Sequence, residues 1–393
     1  MADDEYTEIT SQSWGSRIKG SLSGTLIGLI LFLGAFPLLF WNEGRAVRTA
    51  KALDEGAGIV IAVSPDQVQA ANQGKLVHLS GTPATEETLS DPLFGVRERA
   101  LKLRRVVEMY QWQESSRSET KEKLGGGTET HTTYSYSRTW VDHPVSSSGF
   151  KKPDGHQNPG EFPFKAESSQ AKEVTLGAFR LSAGQVASLS HYQQIIPTPE
   201  VVAQARTVQS RRVTQEGSNL ILADRPAEPQ VGDLRVRFEA VKPEPISLVA
   251  QQQGNSFVPY QARSGADVDL LDYGIKTPEA MFKAAQDENK VLTWVIRLVG
   301  ALVMFLGLRA LLGVLETLAA VIPFLGSLVG FGISLVAGIL ALSLSLVTIG
   351  IAWIFYRPLL GSILLAGAAL ALFGLKGARR TPAVAAARSQ SMP

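Results

Sequence analysis

From Ile322 to Tyr356 there are 35 consecutive residues without an Asp, Glu, Lys or Arg, and after Arg357-Pro358 an uncharged run resumes from Leu359 to Leu375. A buried helix of a soluble protein needs about ten to fourteen apolar residues, whereas a hydrocarbon core of roughly 30 Å needs about twenty at 1.5 Å rise per residue. The stretch from Val291 to Leu375 therefore reads as membrane-embedded, with crossings expected at 291–315, 325–356 and 358–375. Another candidate lies near the start, where Leu22 to Trp41 gives 20 residues without a charge. It is preceded by Arg17 and Lys19, closes on Phe40 and Trp41, and leads into Asn42-Glu43-Gly44-Arg45 rather than a small-x-small cleavage site. These features describe a retained signal anchor.

The remaining sequence changes period. After a short helix with basic residues at Arg45, Arg48 and Lys51, residues 42–290 alternate like strands or carry helix caps. Arg97 to Trp112 places Leu101, Leu103, Val107 and Met109 on one face, Thr130 to Asp142 is its expected hairpin partner, and Gly125-Gly126-Gly127 allows a tight tip. Ser64-Pro65-Asp66 and Ser182-Ala183-Gly184-Gln185 have the form of helix starts, the second as a capping box. Val145 to Ser169, rich in Ser, Pro, Gly, Lys and Asn, is expected to be irregular. The fold class is a multi-pass α-helical membrane protein: four transmembrane helices and a large mainly-β (α+β) extramembrane domain between the first two, built as one domain or two similar halves. The N-terminal tail spans 1–21, and its acidic stretch Met1 to Ser13 is expected to be loosely held. Together with the basic tail 376–393 it is assigned to the cytoplasm, and the middle domain to the extracytoplasmic or lumenal side.

Small residues mark helix-packing faces. Ser16, Gly20, Gly24 and Gly28 recur every fourth residue in the first helix, and Gly326, Gly330, Ser334 and Gly338 do so in the third. Each stripe removes side chains from one face and lets another backbone approach, either in a second copy or in the chain's own helices. Arg297 and Arg309 fall inside the second crossing about 18 Å apart, so each can extend toward a different interface. Arg45, Arg48 and Lys51 could meet lipid headgroups, although a solvated or salt-bridged face is the commoner outcome for such residues.

The net charge is +2, with 38 basic and 36 acidic residues, so no field marks a nucleic-acid partner. There is no cysteine, which excludes disulfides, thiolate metal sites and a cysteine nucleophile. The five histidines are not spaced as metal ligands, and no nucleophile elbow, phosphate loop or dinucleotide fingerprint occurs. No catalytic residue, metal or cofactor is expected. His156, in Gly155-His156-Gln157-Asn158-Pro159, is expected to shape a turn.

Several blocks together resemble the transmembrane protein 43 family, also called LUMA. They are Leu38-Leu39-Phe40-Trp41-Asn42-Glu43-Gly44-Arg45-Ala46, Leu53-Asp54-Glu55-Gly56, Val107-Glu108-Met109-Tyr110-Gln111-Trp112, Gly155 to Pro159, and Trp353-Ile354-Phe355-Tyr356-Arg357-Pro358-Leu359. The first and last are the most specific, and within them Trp41, Asn42, Glu43, Gly44, Arg45, Tyr356, Arg357 and Pro358 carry the resemblance. The resemblance implies four membrane segments, a lumenal domain, self-association and a scaffolding role. Nuclear-envelope or endoplasmic-reticulum placement would follow for a eukaryotic chain. The glycine-rich, cysteine-free composition reads more like a bacterial member, placed in the cell membrane.

The leading functional expectation is a non-enzymatic scaffold that self-associates and organises other membrane or envelope proteins. A channel or transporter subunit, or a lipid-responsive protein, is the alternative. The expected partners are membrane lipids, a second copy and unidentified membrane proteins.

Overall fold

The computed structural model describes residues 5–208, 211–359 and 363, without the side chains of 323–325. It divides into a mainly-β unit, Met1–Ser13 with Ala52–Gln286, and a helical unit, Trp14–Lys51 with Asp287–Pro393. The described residues form five α-helices: α1 Trp14–Ile59, α2 Ala183–Ser188, α3 Pro199–Val208, α4 Pro278–Ala319 and α5 Pro323–Tyr356. Among the described residues, α1, α4 and α5 are long and apolar enough to cross a membrane. The crossing expected at 358–375 falls almost wholly outside the described residues.

Six principal strands organise the β unit: β1 Glu5–Gln12, β2 Leu76–Gly81, β3 Lys102–Glu122, β4 Thr128–Val141, β5 Leu234–Val241 and β6 Ile246–Gln253. One sheet runs β1-β4-β3-β5 and continues through Asn219–Leu222 and Val213–Glu216. A second places β2 beside β6, with short strands extending both flanks. In β3 the residues from Leu103 to Gln111 alternate between buried and half-exposed, as a sheet with one covered face requires. Leu103, Val107, Met109, Val236 and Phe238 from the first sheet join Val77, Leu79, Leu176, Phe179, Leu248 and Phe257 from the second in one apolar cluster. The β unit is thus a single domain around a shared core. Inward-pointing Arg105 is accommodated because Asp91 and Glu167 pair with it and the Lys165 carbonyl accepts its remaining N–H groups.

The hairpin tip turns on Gly125 and Gly126, at φ 88° and 76°, a region glycine enters without steric cost. Ser182 and Gln185 complete the expected capping box on α2. Ser64-Pro65-Asp66 does not open a helix: the Ser64 hydroxyl accepts from the Asp66 amide at 3.2 Å in a local turn.

Residues 5–12 are not a loose tail. They form β1, paired antiparallel with β4 from Glu5↔Ser135 to Gln12↔Thr128. Lys151 Nζ reaches Glu8 at 2.9 Å, and the Tyr134 hydroxyl donates to it at 3.3 Å. The hydrogen bond from Lys151 holds the Glu8 carboxyl below its ordinary range. The contribution of Glu8 to the ladder is therefore complete above the unfolded carboxylate range and is lost as pH falls through the folded value. The protection factors of the residue 5–12 amides, taken relative to intrinsic exchange at each pH, are expected to fall selectively on acidification, and the Glu8→Gln chain should lack that pH dependence.

β1 thus pairs with a hairpin of the same β unit although α1 separates the two in the chain. In this cysteine-free chain, Ser11→Cys is expected to form a disulfide with Glu129→Cys, its register partner, in intact membranes. A bond seen only after detergent extraction would instead show that the bilayer separates the strands.

Candidate functional site

The helical unit concentrates its polar side chains at one level, just past the uncharged stretch of α1. Asn42, Glu43 and Arg45 come from α1, Asn289, Thr293 and Arg297 from α4 at successive four-residue steps, and Trp353 and Tyr356 from α5. Glu43 is fully buried. Its carboxylate accepts from Arg297 Nε at 2.6 Å and Arg297 Nη2 at 2.8 Å, and from the Trp353 indole N–H at 2.8 Å. A two-pronged guanidinium and one indole thus satisfy a charge that would otherwise be too costly to bury. The Arg297 guanidinium also lies over the rings of Trp294 and Trp353, 4.8 and 5.7 Å from their centroids.

Arg45 is organised by neutral groups. It donates to Asn289 Oδ1 at 2.9 Å, Asn42 Oδ1 at 3.3 Å and Thr293 Oγ1 at 3.1 Å. The Asn42 amide donates to the Thr293 carbonyl, and the Asn289 amide to the Ala46 carbonyl. Gly44 admits the Tyr356 ring: a Cβ there would lie 2.6 Å from the Tyr356 Cζ. Phe40 completes this contact, with its centroid 5.3 Å from that of Tyr356. The Arg357 amide closes α5 on the Trp353 carbonyl at 2.7 Å. The motif residues Asn42 to Arg45 and Tyr356, more than 300 positions apart in sequence, therefore meet in one knot, while Trp41 stays half-exposed. Pro358, next to Arg357, leads out of α5.

Sequence patterning missed Asn289 and Thr293, and it singled out Arg297 without its partner Glu43. The four-residue spacing of Asn289, Thr293 and Arg297 was the available signal. The two arginines of α4 reach carboxylates toward opposite ends of its apolar stretch. Arg297 is paired with Glu43, and Arg309 with Glu316 at 2.6 Å. Nor do Arg45, Arg48 and Lys51 form one outward basic face, because the Arg45 head is turned between helices while Lys51 is exposed.

The small-residue stripes divide. Gly28 packs against Gly307, Ala310 and Leu311 of α4, and Gly307 in turn against the Phe32 backbone. Gly330 accommodates the Glu316 carboxylate, Gly338 lies near Phe305, and the Ser334 hydroxyl bonds the Gly330 carbonyl within its own helix. Gly326 is buried. Gly20 and Gly24 have open space where a Cβ would stand.

In the β unit, buried His156 stacks on Tyr136 at 3.9 Å, and Asn158 bonds both the backbone N–H and the carbonyl of Trp112. This pins the loop to β3. No group of three or more metal-ligating side chains occurs among the described residues.

The family model for transmembrane protein 43 matches residues 109–358. The chain is 34% identical to transmembrane protein 43 of Rattus norvegicus over 380 residues, covering 92% of each chain. It is 34% identical to the Homo sapiens protein over 373 residues, covering 90% of this chain and 89% of that one. To the Drosophila melanogaster homolog it is 33% identical over 351 residues, covering 87% and 92%. No solved structure matches. With three membrane-capable helices among the described residues, a large mainly-β domain and matches of this extent, the chain belongs to the transmembrane protein 43 family.

Proposed function

We propose that this chain is a non-enzymatic integral-membrane scaffold that self-associates and holds other membrane proteins in place. The observation that carries this reading is the use of polar groups at the motif level. Glu43 is buried and engages Arg297 and Trp353 of two other helices, an arrangement that fixes helix positions. The Gly20 and Gly24 face of α1 is where a second copy would pack, since Gly28, Gly330 and Gly338 are already in contact with the chain's own helices.

Gly24→Ile is expected to shift the chain toward monomer in native detergent while leaving its thermal unfolding unchanged. An oligomer profile identical to that of the parent would sink the self-association reading. Gly330→Ile serves as the contrast, because its added side chain would strike Glu316 and should affect folding first.

A further inference from the structure

The polar knot has an unbalanced charge. Two guanidiniums, Arg45 and Arg297, stand against one carboxylate, and Glu43 commits both oxygens to Arg297 and Trp353. Arg45 is only partly exposed, and each of its acceptors (Asn42, Asn289 and Thr293) is neutral. Its Nε–H is buried without an acceptor. A cation removed this far from water ordinarily has an anionic partner, and an unsatisfied buried donor calls for a missing ion or water.

The surroundings indicate where that partner comes from. Arg45 lies one turn beyond Trp41 on α1. Trp41, Trp294 of α4 and Phe355 of α5 all present exposed rings, at 52%, 62% and 69%. Aromatic side chains exposed together on helices of this kind mark the headgroup level of a bilayer. On the aqueous side of that girdle, α1 continues with Arg48 and exposed Lys51. Acyl chains held along the apolar exposed faces of α1 and α4 would bring a headgroup phosphate to this height.

We propose that Arg45 is the centre of an anionic-phospholipid site, in which a headgroup phosphate oxygen serves as counter-ion to its guanidinium. Asn42, Asn289 and Thr293 aim the guanidinium, and the aromatic girdle sets the depth of the lipid. A phosphate accepts charge-assisted hydrogen bonds, and loss of such a contact corresponds to roughly a tenfold fall in affinity.

The test uses the full chain in mixed micelles or nanodiscs, with phosphatidylglycerol, phosphatidylcholine or inorganic phosphate as the additive. Thermal unfolding and native mass spectrometry of retained lipid are the readouts. Phosphatidylglycerol is expected to be retained over phosphatidylcholine and to raise the unfolding midpoint of the parent chain. Roughly a tenfold loss of that preference is expected in Arg45→Gln, with a lesser loss in Arg45→Lys, which keeps the charge. The double variant Arg48→Gln with Lys51→Gln should keep most of the preference.

Absence of any phosphatidylglycerol preference in the parent chain overturns the site, even if Arg45→Gln fails to fold. Preference unchanged in Arg45→Gln, or abolished only in the Arg48 and Lys51 double variant, overturns it in favour of a diffuse basic surface. Equal protection by inorganic phosphate overturns the lipid as the source of the anion.

Discussion

Replacing Glu43 by alanine is expected to destabilise the helical unit by about 3 to 5 kcal/mol, the range for removing one member of a buried ion pair. The cost arises because Arg297 would remain buried with its two hydrogen bonds broken, and Trp353 would lose the acceptor for its indole N–H. Thermal unfolding in detergent measures the loss. If the main penalty is the orphaned guanidinium, adding Arg297→Met should recover a large share of it, since a buried pair can be exchanged for apolar residues of similar volume at little cost. Failure of the second substitution to recover stability would show that the pair does more than satisfy its own charges. Glu43→Gln should be milder than Glu43→Ala, because the amide oxygen still accepts one donor.

Gly307→Leu is expected to cost about 3 kcal/mol or more, at the upper end of overpacking, because the nearest atoms are backbone and cannot rotate away. A Cβ at Gly307 would stand 2.6 Å from the Phe32 amide nitrogen and 2.9 Å from the Gly28 carbonyl oxygen. Helices α1 and α4 would have to separate along that contact, disturbing Ala35, Leu39, Met304 and Leu308, which form one cluster with Ala337 and Ala341. Gly24→Leu, placed four residues from Gly28 where nothing lies within 4 Å, is the matched control and should leave unfolding in detergent near that of the parent chain. Equal effects from the two variants would show that α1 and α4 do not approach as described.

The features that could be read from sequence are those whose cause is local. The alternation from Leu103 to Met109 follows from one covered sheet face, and Ser182 with Gln185 closes a capping box within four residues. The membrane-capable helices were equally plain, since an uncharged apolar run of that length matches a bilayer core and exceeds what a buried globular helix needs. Long-range pairings were not legible. Arg297 looked like a lone intramembrane cation because Glu43 lies 254 positions away. Residues Glu5 to Gln12 looked like a tail because their strand partner lies more than a hundred residues on and their side chains are nearly all exposed. Gly307 belongs to no four-residue stripe; what gives it a role is the position of Gly28 opposite. The motif blocks around Asn42 and Tyr356 were visible separately, but their meeting was not, since spacing says nothing about which helices are neighbours.

The shared core of the β unit has a consequence for its dissection. Leu101, Leu103 and Val107 precede the irregular stretch around 145–166, and Phe179, Leu220, Phe238 and Leu248 follow it, yet all are in one buried cluster. A protease cut in that exposed loop would sever the polypeptide without dividing the hydrophobic interior. The two fragments should stay together through gel filtration and part only in denaturant. Neither one expressed alone should be soluble, so the domain behaves as a single cooperative element whose covalent continuity at that loop is dispensable.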